Sequence, residues 1–434
     1  MSVLHISATN DWEIDHRDIK TVFLHSNLNE EISMEQPEGA KVTGKEDWVC
    51  RLNKSLYGLH QASHQWSKKL HECLTKEGFM CCAVEHSIYT QTDETGTVIL
   101  AIHVDVMPIT VSSPVAMIGA NLSLQKYFEI VDLGLVKLLL GICINQNRTG
   151  HTITLSQTAY INSVVTHFHL EDAFKVKMLM DTSVHLTKQS TPNTIEEWEH
   201  MSKLPYLALV GSLMYASMGT CPDITHTVSN LGKYSSNPGK THWTATQCVL
   251  QYLNGTCDLG LVLGGKQPMT LQGHVDSDFA QDLDDWKSIS GYTFNLGSGT
   301  ISWSSKKQVT VAGSSMEAEY IATDNAIKEA MWLRTLLSLL GHPQPGPMLI
   351  WCNNMSAISL IKNPMFHVCT KHIVVKHHYV WDRYESKEIT FEYVPTADNS
   401  TDILTKGLDH PKHWKFLSML GLKSKLNLKN SPSP

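Results

Sequence analysis

The sequence has few features of a secreted or membrane protein. Residues 1–15 contain neither a basic segment nor an apolar run, so no secretory signal peptide is expected. No uncharged apolar run reaches the ~18 residues that a membrane-spanning helix requires. The ten cysteines include one adjacent pair, Cys81–Cys82, and no Cys-x-x-Cys spacing, which argues against a disulfide framework or a zinc site. We therefore predict an intracellular protein, cytoplasmic or nuclear, that is not secreted and has no membrane partner.

A strong excess of basic charge is also lacking. The 434 residues carry a formal net charge of −7 with histidines neutral, which argues weakly against a general nucleic-acid binder. Local basic clusters can still bind a phosphate backbone, so the position of the charge matters more than its sum. The length predicts two to three domains.

The order of apolar and turn-forming residues predicts mixed helix and sheet. The polar stretch 181–202, with one proline and three glutamates, is the best linker candidate. After Gly264–Gly265 the pattern predicts a strand, a hairpin, a helix and then alternating strands and helices. Upstream, strands are predicted around Ile19–Leu24, 97–104, 106–111, 139–144 and 151–155, and helices over 56–80, 158–170 and most of 203–256.

Four polar residues at element ends in the C-terminal half are candidate metal ligands. Asp276 closes a strand, Glu317 follows Ser314 in a capping-box pattern, Asn353 ends another strand, and Asp402 lies between a turn and a helix. Phosphodiester hydrolysis is served by two divalent ions about 3.5–4 Å apart, held by carboxylate oxygens. Taken singly, a glutamate in a first helical turn is more often a cap, and an aspartate at a strand end more often forms a turn.

Residues 273–406 resemble the ribonuclease H domain of copia-type retrotransposons nearly end to end. The matching segments are DSDFAQDLDDWKSISGYTF, ISWSSKKQVTVAGSSMEAEYIA, MWLRTLL, NMSAISLIKNP, TKHI and YVPTADNSTDILTK. The resemblance implies a mixed sheet flanked by helices, a substrate of RNA–DNA hybrid, and two-ion sites for Mg²⁺ or Mn²⁺. It places the four metal-binding positions at Asp276, Glu317, residue 353 and Asp402.

Position 353 departs from the family pattern. The family has Cys-Asp-Asn where this chain has Cys352, Asn353 and Asn354. An amide offers one neutral oxygen in place of a charged carboxylate, so metal binding should weaken. The alternative is that Asn353 still coordinates through its oxygen and some activity survives.

Residues 11–256 resemble the copia reverse-transcriptase palm and its connecting region. The matching segments include DIKTVFL, EISMEQPEG, KSLYGLHQASHQW, DLGLVKLLLGICI, YLALVGSLMYASMGTCPDI and NPGKTHW. The resemblance implies that Asp18 and Asp105 are metal-ligand aspartates of the polymerase site. It also implies that Phe23 screens the sugar of the incoming nucleotide and that Gly58 shapes the templating side of the pocket.

Three residues depart from the polymerase pattern. The family's Tyr-Val-Asp-Asp block falls on residues 103–106, where His103 replaces the tyrosine and Val106 replaces the second aspartate. Pro108 follows in the returning strand and removes a ladder donor. Without the resemblance, Asp105 would be a simple hairpin residue. Because the chain begins just before the first catalytic block, the family's fingers are expected to be missing, and polymerase activity is predicted to be lost.

A basic and aromatic segment, residues 362–387, is a candidate nucleic-acid contact. Its basic residues are interleaved with aromatic side chains, a combination that suits backbone contacts and base stacking. We single out Lys371, Lys376 and Arg383. The alternative is a solvated helix face whose aromatic residues lie in the core.

These observations predict an α/β (α+β) protein, a truncated polymerase palm with a helical connection followed by a ribonuclease H-like mixed sheet flanked by helices. The predicted function is that of a retrotransposon reverse-transcriptase and ribonuclease H remnant acting on RNA–DNA hybrids, with polymerase activity lost and nuclease activity impaired. The alternative is a non-catalytic relic or a domesticated nucleic-acid-binding protein. The predicted domains are a palm over 1–180, a linker and connection over 181–264, a nuclease domain over 265–410 and a basic tail over 411–434.

Overall fold

The computed structural model describes residues 1–180, 184–363 and 374–424, with the backbone alone for 374–377. The chain divides into two compact units, Asn10–Val136 and a second unit made of Met1–Thr9 with Lys137–Pro434. We call them the N-terminal and C-terminal units. None of the described helices is long and apolar enough to cross a membrane. The predicted boundaries at 180, 264 and 410 stay a prediction.

The N-terminal unit is built on a six-stranded antiparallel sheet in the order β4-β5-β6-β7-β1-β8. Two helices, α2 and α3, contribute apolar residues such as Trp66 and Leu124 to its core. In chain order the first 136 residues form α1 (Ser2–Thr9), β1 (Glu13–Ile19), β2 (Ser33–Glu35), β3 (Val49–Arg51), α2 (Ala62–Lys76), β4 (Met80–Cys81), β5 (Ile88–Asp93), β6 (Gly96–Ala101), β7 (Val106–Val111), α3 (Pro114–Gln125) and β8 (Ile130–Leu135).

Helices dominate the next part of the chain, where α4, α6, α7 and α8 surround an apolar core that includes Leu213 and Val249. A five-stranded sheet in the order β18-β12-β11-β10-β9 accompanies them. The elements are β9 (Leu138–Leu139), β10 (Ile142–Asn147), β11 (Thr152–Ser156), α4 (Thr158–His167), α5 (Ile195–Ser202), α6 (Tyr206–Gly219), α7 (Thr225–Gly232), α8 (Lys240–Gly255) and β12 (Leu259–Gly264).

A mixed sheet in the order β15-β14-β13-β16-β17 carries the C-terminal part of this unit. β13 pairs antiparallel with β14 and parallel with β16, and β16 pairs parallel with β17. The elements are β13 (Leu271–Ser277), β14 (Ile289–Leu296), β15 (Gly299–Lys307), α9 (Ser315–Leu339), β16 (Met348–Cys352), α10 (Met355–Lys362), α11 (Val374–Glu385), β17 (Ile389–Tyr393), α12 (His410–Met419) and β18 (Leu422–Ser424). This order confirms the predicted strand, hairpin and helix pattern and the predicted mixed fold.

Two local predictions were wrong. The strand expected around Ile19–Leu24 ends at Ile19, because Thr21 adopts a φ of 50° and a 3₁₀ turn follows. The helix expected over 56–80 begins only at Ala62, after Gly58 at a φ of +91°. The linker candidate 181–202 stays a prediction: it contains α5, whose start is fixed by a capping box between Thr194 and Glu197, and residues 181–183 lie outside the described part.

Candidate functional site

An acidic cluster forms where β13 and β16 end side by side. Asp276 lies near the end of β13 and is 1% exposed, and the parallel register pairs Val275 with Cys352. Asn353 is therefore beside Asp276, and its Nδ2 donates a hydrogen bond to Asp276 Oδ1 at 2.8 Å. Parallel strands end at the same sheet edge, which is why residues far apart in sequence meet here. The resemblance assigns both positions to one metal site, which requires them to lie close together, and the structure confirms that they do.

Asp402 joins the cluster from a short 3₁₀ turn, Ser400–Leu404, and is fully buried. Its carboxylate meets two lysines: Lys406 Nζ lies 3.0 Å from Oδ1, and Lys412 Nζ lies 2.5 Å from Oδ2. Lys406 Nζ also lies 3.8 Å from Asp276 Oδ2, and the Thr405 hydroxyl donates to that same oxygen. Asp276 and Asp402 thus share the Lys406 ammonium group, and two buried carboxylates require such a partner to offset their charge.

The structure puts Glu319, not the predicted Glu317, in this cluster. Glu317 Oε2 accepts a hydrogen bond from the backbone amide of Gly313 at 2.9 Å, so it supports the start of α9. Glu319 is buried, and its pKa is raised well above the ordinary value, first by burial and then by Asp276. Glu317 and Glu319 are separated by about 200° around the helix axis, so only one of them can face the sheet edge. Half of the predicted capping box is confirmed: Ser314 is the N-cap of α9, and its Oγ accepts the Glu317 amide at 3.2 Å, while the Glu317 carboxylate accepts the Gly313 amide.

Burial dominates the electrostatics of the cluster. It raises the pKa of Asp276 to about 6; Lys406 opposes this shift and Asp402 adds to it. A carboxylate that is costly to ionise in the protein alone is stabilised when a cation binds beside it. The cluster therefore favours cations, which the two lysines supply in the structure.

The donor atoms of the cluster suit a hard divalent cation. Glu319 Oε2 and Asn353 Oδ1 are buried acceptors that receive no hydrogen bond from any described residue. Together with Asp276 and Asp402 they give an all-oxygen set, the kind that Mg²⁺ and Mn²⁺ prefer. Within residues 1–180, 184–363 and 374–424, no three His, Cys, Asp or Glu side chains are arranged as a complete metal centre. The cluster fits a cation but is short of one acidic ligand.

Lys412 should compete with such a cation. We expect Lys412→Met to bind Mn²⁺ more tightly, by roughly fivefold or about 1 kcal/mol, because Asp402 Oδ2 is then free for metal. The measurement is the rise in melting temperature on adding Mn²⁺. Lys415→Met is the matched control. Lys415 lies on the same helix as Lys412, but it pairs with Asp398, at 2.6 Å. Equal metal-dependent shifts in the two variants would contradict the competition.

The predicted polymerase residues also lie together, in the N-terminal unit. β1 and β7 are antiparallel neighbours with Asp18 opposite Val106, and the Ile19 amide donates to the Asp105 carbonyl at 3.3 Å. Asp18 and Asp105 are both half-buried at this end of the sheet. Val106 is also half-buried and offers no oxygen where the second aspartate of the family pattern would lie. The two aspartates lie close together, as a shared metal site implied by the resemblance requires, and their role as metal ligands stays a prediction.

Pro108 interrupts the sheet next to this site. Val106 exchanges two backbone hydrogen bonds with His103, at 2.9 and 3.0 Å, on the side of β7 that faces β6. Backbone groups alternate sides along a strand, so the backbone of residue 108 faces β6 as well. Proline has no N–H for that ladder. The β6–β7 ladder runs from Val111 back to Ile109 and stops there. The sequence prediction that Pro108 removes a ladder donor is confirmed.

Phe23 and Gly58 lie on neighbouring loops of the N-terminal unit. The Phe23 ring is largely buried and packs edge-on against Tyr57, with ring centroids 4.7 Å apart. Gly58 follows Tyr57, and an added Cβ there would meet open space, although the φ of +91° disfavours other residues. Their proposed contacts with a nucleotide stay predictions.

The basic and aromatic segment is only partly described. Lys371 lies outside the described residues, and Lys376 lies in α11 where only the backbone is described. Arg383 Nη1 pairs with Glu388 at 2.7 Å, and its guanidinium lies over the Tyr379 ring at 5.3 Å. Arg383 is therefore held by its own chain, which favours the alternative of a structural role for this residue.

Comparison with known proteins identifies relatives of the whole chain. A family model described as reverse transcriptase (RNA-dependent DNA polymerase) matches residues 2–182. The chain is 39% identical over 424 residues to the retrovirus-related Pol polyprotein from transposon TNT 1-94 of Nicotiana tabacum, covering 98% of this chain and 32% of that protein. It is 33% and 32% identical to the Pol polyproteins from transposons RE2 and RE1 of Arabidopsis thaliana, covering 97% of this chain and 28% of each relative.

The chain thus spans about a third of the length of these relatives. The match to the tobacco relative runs through both units, so it includes the β1–β7 aspartates and the acidic cluster of the mixed sheet. Residues 2–182 therefore belong to the reverse transcriptase family, and nearly the whole chain is related to the Pol polyproteins of copia-type retrotransposons.

Proposed function

We propose that this segment is an impaired RNA–DNA hybrid nuclease joined to a polymerase palm that no longer extends primers. The observation that carries the nuclease part is the hydrogen bond from Asn353 Nδ2 to Asp276 Oδ1. This bond supports the proposal, because the Asn353 amide donates to Asp276 at the position where the family pattern has a carboxylate. The chain therefore keeps the arrangement of a two-ion nuclease with one negative charge too few.

The cluster residues have separate roles in this proposal. Asp276, Glu319, Asp402 and the Asn353 oxygen would hold the ions, and the chemistry supplied by bound ions is water activation and charge neutralisation at the phosphodiester. The Thr405 hydroxyl fixes the orientation of Asp276 by donating to Oδ2. Hydrogen bonds to ligands in this way set metal affinity and geometry. Hybrid cleavage in Mg²⁺ or Mn²⁺ by the parent and by Asn353→Asp tests the proposal.

A non-catalytic nucleic-acid-binding role is the second candidate. It is favoured by the ion pairs of Lys406 and Lys412 with Asp402, which balance charge in the cluster without metal. Retained binding of a labelled RNA–DNA hybrid, with no cleavage by the parent or by Asn353→Asp, would favour this role over an impaired nuclease.

The palm is expected to show no templated polymerisation. Phosphoryl transfer depends on positioned metal ions, and Val106 supplies no ligand opposite Asp18. The measurement is primer extension on an RNA template with Mg²⁺ or Mn²⁺. Asp105→Ala is the control and should match the parent if activity is already absent. Extension by the parent that Asp105→Ala abolishes would contradict the expectation.

A further inference from the structure

Gln308 is a buried polar side chain that lies next to the acidic cluster without belonging to it. It directly follows β15 and is 5% exposed. Its backbone amide donates to the Ser288 carbonyl at 2.8 Å, which extends the β14–β15 ladder by one residue. The side chain therefore starts from a fixed point of the sheet, and the amide group at its end contacts three elements around the cluster.

The three contacts are made by one nitrogen atom. Gln308 Nε2 donates to the Ala318 carbonyl at 2.8 Å and to the Ser290 hydroxyl at 2.9 Å. It also lies 3.3 Å from Ser277 Oγ, which donates its own hydrogen to backbone carbonyls and can therefore only accept from Gln308. A carbonyl oxygen accepts only, so the nitrogen of the Gln308 amide has to face Ala318. The side chain thus connects α9 to both β13 and β14.

The two ends of this connection are adjacent in sequence to residues of the acidic cluster. Ser277 follows Asp276 at the end of β13, and Ala318 precedes Glu319 in α9. Burial raises the pKa of Glu319, and a backbone hydrogen bond from Ser277 acts against that rise. Gln308 therefore links the backbone that carries Asp276 to the backbone that carries Glu319, and it makes no hydrogen bond to either carboxylate.

The other half of the Gln308 amide shows that the donor is what matters. Its Oε1 is buried without a hydrogen-bond partner among the described residues, which is unfavourable in a protein interior. An apolar side chain of similar size would avoid this cost but could not hold the Ala318 carbonyl. A hydrogen bond is short and directional, so this one fixes the first turn of α9 against sliding or turning relative to β13.

We propose that Gln308 is the positioning residue that holds Glu319, rather than Glu317, in the acidic cluster. The inference rests on the proposed nuclease site, because it concerns how that site is assembled. Without the Nε2 donor the first turn of α9 is released, and the Glu319 carboxylate loses its fixed place beside Asp276. A divalent ion then loses a ligand. Support of this kind behind a metal ligand is worth ~10- to 100-fold in metal affinity.

The test uses the full chain with Asn353→Asp, which supplies the fourth carboxylate. Adding Gln308→Met removes the donor at similar length and volume and should weaken Mn²⁺ binding by roughly 10-fold or more, measured by electron paramagnetic resonance of free Mn²⁺. The Mn²⁺ concentration that half-saturates hybrid cleavage should rise by the same factor. Equal Mn²⁺ affinity in the two chains would overturn the inference and leave the proposed nuclease in place. Absence of Mn²⁺ binding by Asn353→Asp alone would overturn both.

Gln344→Met, in the same background, is the matched control for loss of stability. Gln344 Oε1 accepts the Leu271 amide at 2.9 Å at the start of β13, five residues or about 16 Å along the strand from Asp276. This variant also loses a hydrogen bond to β13, so it should lower the melting temperature without changing Mn²⁺ affinity. If it weakened Mn²⁺ binding as much as Gln308→Met does, the effect would be general destabilisation and the inference would be wrong.

A second background shows whether Gln308 acts through Glu319. When Glu319→Gln is already present, adding Gln308→Met should weaken Mn²⁺ binding no further, because the ligand that Gln308 positions has been lost. The same fold loss with and without Glu319→Gln would overturn the inference. If Gln308→Met does not fold, Gln308→Asn takes its place. Its amide is one methylene too short for the Ala318 carbonyl, so the same loss of Mn²⁺ affinity is expected, and unchanged affinity would again overturn the inference.

Discussion

Asn353→Asp is expected to raise cleavage of an RNA–DNA hybrid by roughly 100-fold in Mg²⁺ or Mn²⁺. The reason is charge. Two divalent ions bring four positive charges into the cluster, and Asp276, Glu319 and Asp402 supply three negative ones before the substrate arrives. Loss of one preorganised group that stabilises transition-state charge, such as an oxyanion-hole donor, costs on the order of 100- to 1,000-fold in rate, and we expect a similar order here. The measurement is cleavage of a labelled hybrid under single-turnover conditions.

The same substitution should destabilise the folded chain when no metal is bound. The change is nearly isosteric, so packing is kept, but the 2.8 Å hydrogen bond from Asn353 to Asp276 is replaced by repulsion between carboxylates. Without metal, Asn353→Asp should lose roughly 1–3 kcal/mol of unfolding free energy. Added Mn²⁺ should restore more stability to the variant than to the parent, by mass action. Thermal melts with and without Mn²⁺ measure both effects.

A neighbouring asparagine provides the matched control. Asn354 is the N-cap of α10, and its Oδ1 accepts the Ala357 amide at 3.0 Å. Asn354→Asp adds the same charge one residue away and keeps the capping bond, because aspartate caps as well as asparagine. It should leave hybrid cleavage at the parent level. A parent that already cleaves as fast as Asn353→Asp would show that position 353 does not limit the nuclease.

Sequence could predict the pairs of residues that strand ends bring together. The pairs Asp276 with Asn353 and Asp18 with Asp105 were predicted from the family resemblance, and each lies where paired strands meet at one edge of a sheet. Strand pairing of this kind is set by backbone hydrogen bonds over many residues, so it survives single substitutions. The Pro108 interruption was equally visible, because the missing N–H is a property of the residue itself.

Sequence could not predict which face of α9 meets the sheet. Glu317 and Glu319 both fall in the first turns of a helix with many buried alanines, and periodicity alone gives no absolute phase. The signal that could have separated them is Gly313 before the Ser314 cap, since a glutamate three residues into the helix reaches back to such amides. The ion pair from Lys412 was also out of reach, because it joins α12 to the cluster through tertiary packing alone.

Glu319→Gln and Glu317→Gln test the corrected ligand directly in the Asn353→Asp background. We expect Glu319→Gln to lower hybrid cleavage by roughly 100-fold or more and to remove most of the stabilisation by Mn²⁺. Glu317→Gln should keep both, because its side chain supports the Gly313 turn rather than the cluster. Both variants make the same glutamate-to-glutamine change, at positions two residues apart on α9, so each controls for the other.

A pH signature in metal-free buffer separates a ligand from a helix-start residue. Burial and Asp276 raise the pKa of Glu319 in the folded chain, so its contribution to stability is present at low pH and is lost as pH rises through the folded pKa. At pH 7, adding Glu319→Gln to the Asn353→Asp protein should therefore raise its melting temperature, and this difference should vanish as the pH falls towards about 4. If Glu317→Gln instead abolished cleavage while Glu319→Gln spared it, Glu317 would be the ligand and α9 would have to be rotated in the active nuclease.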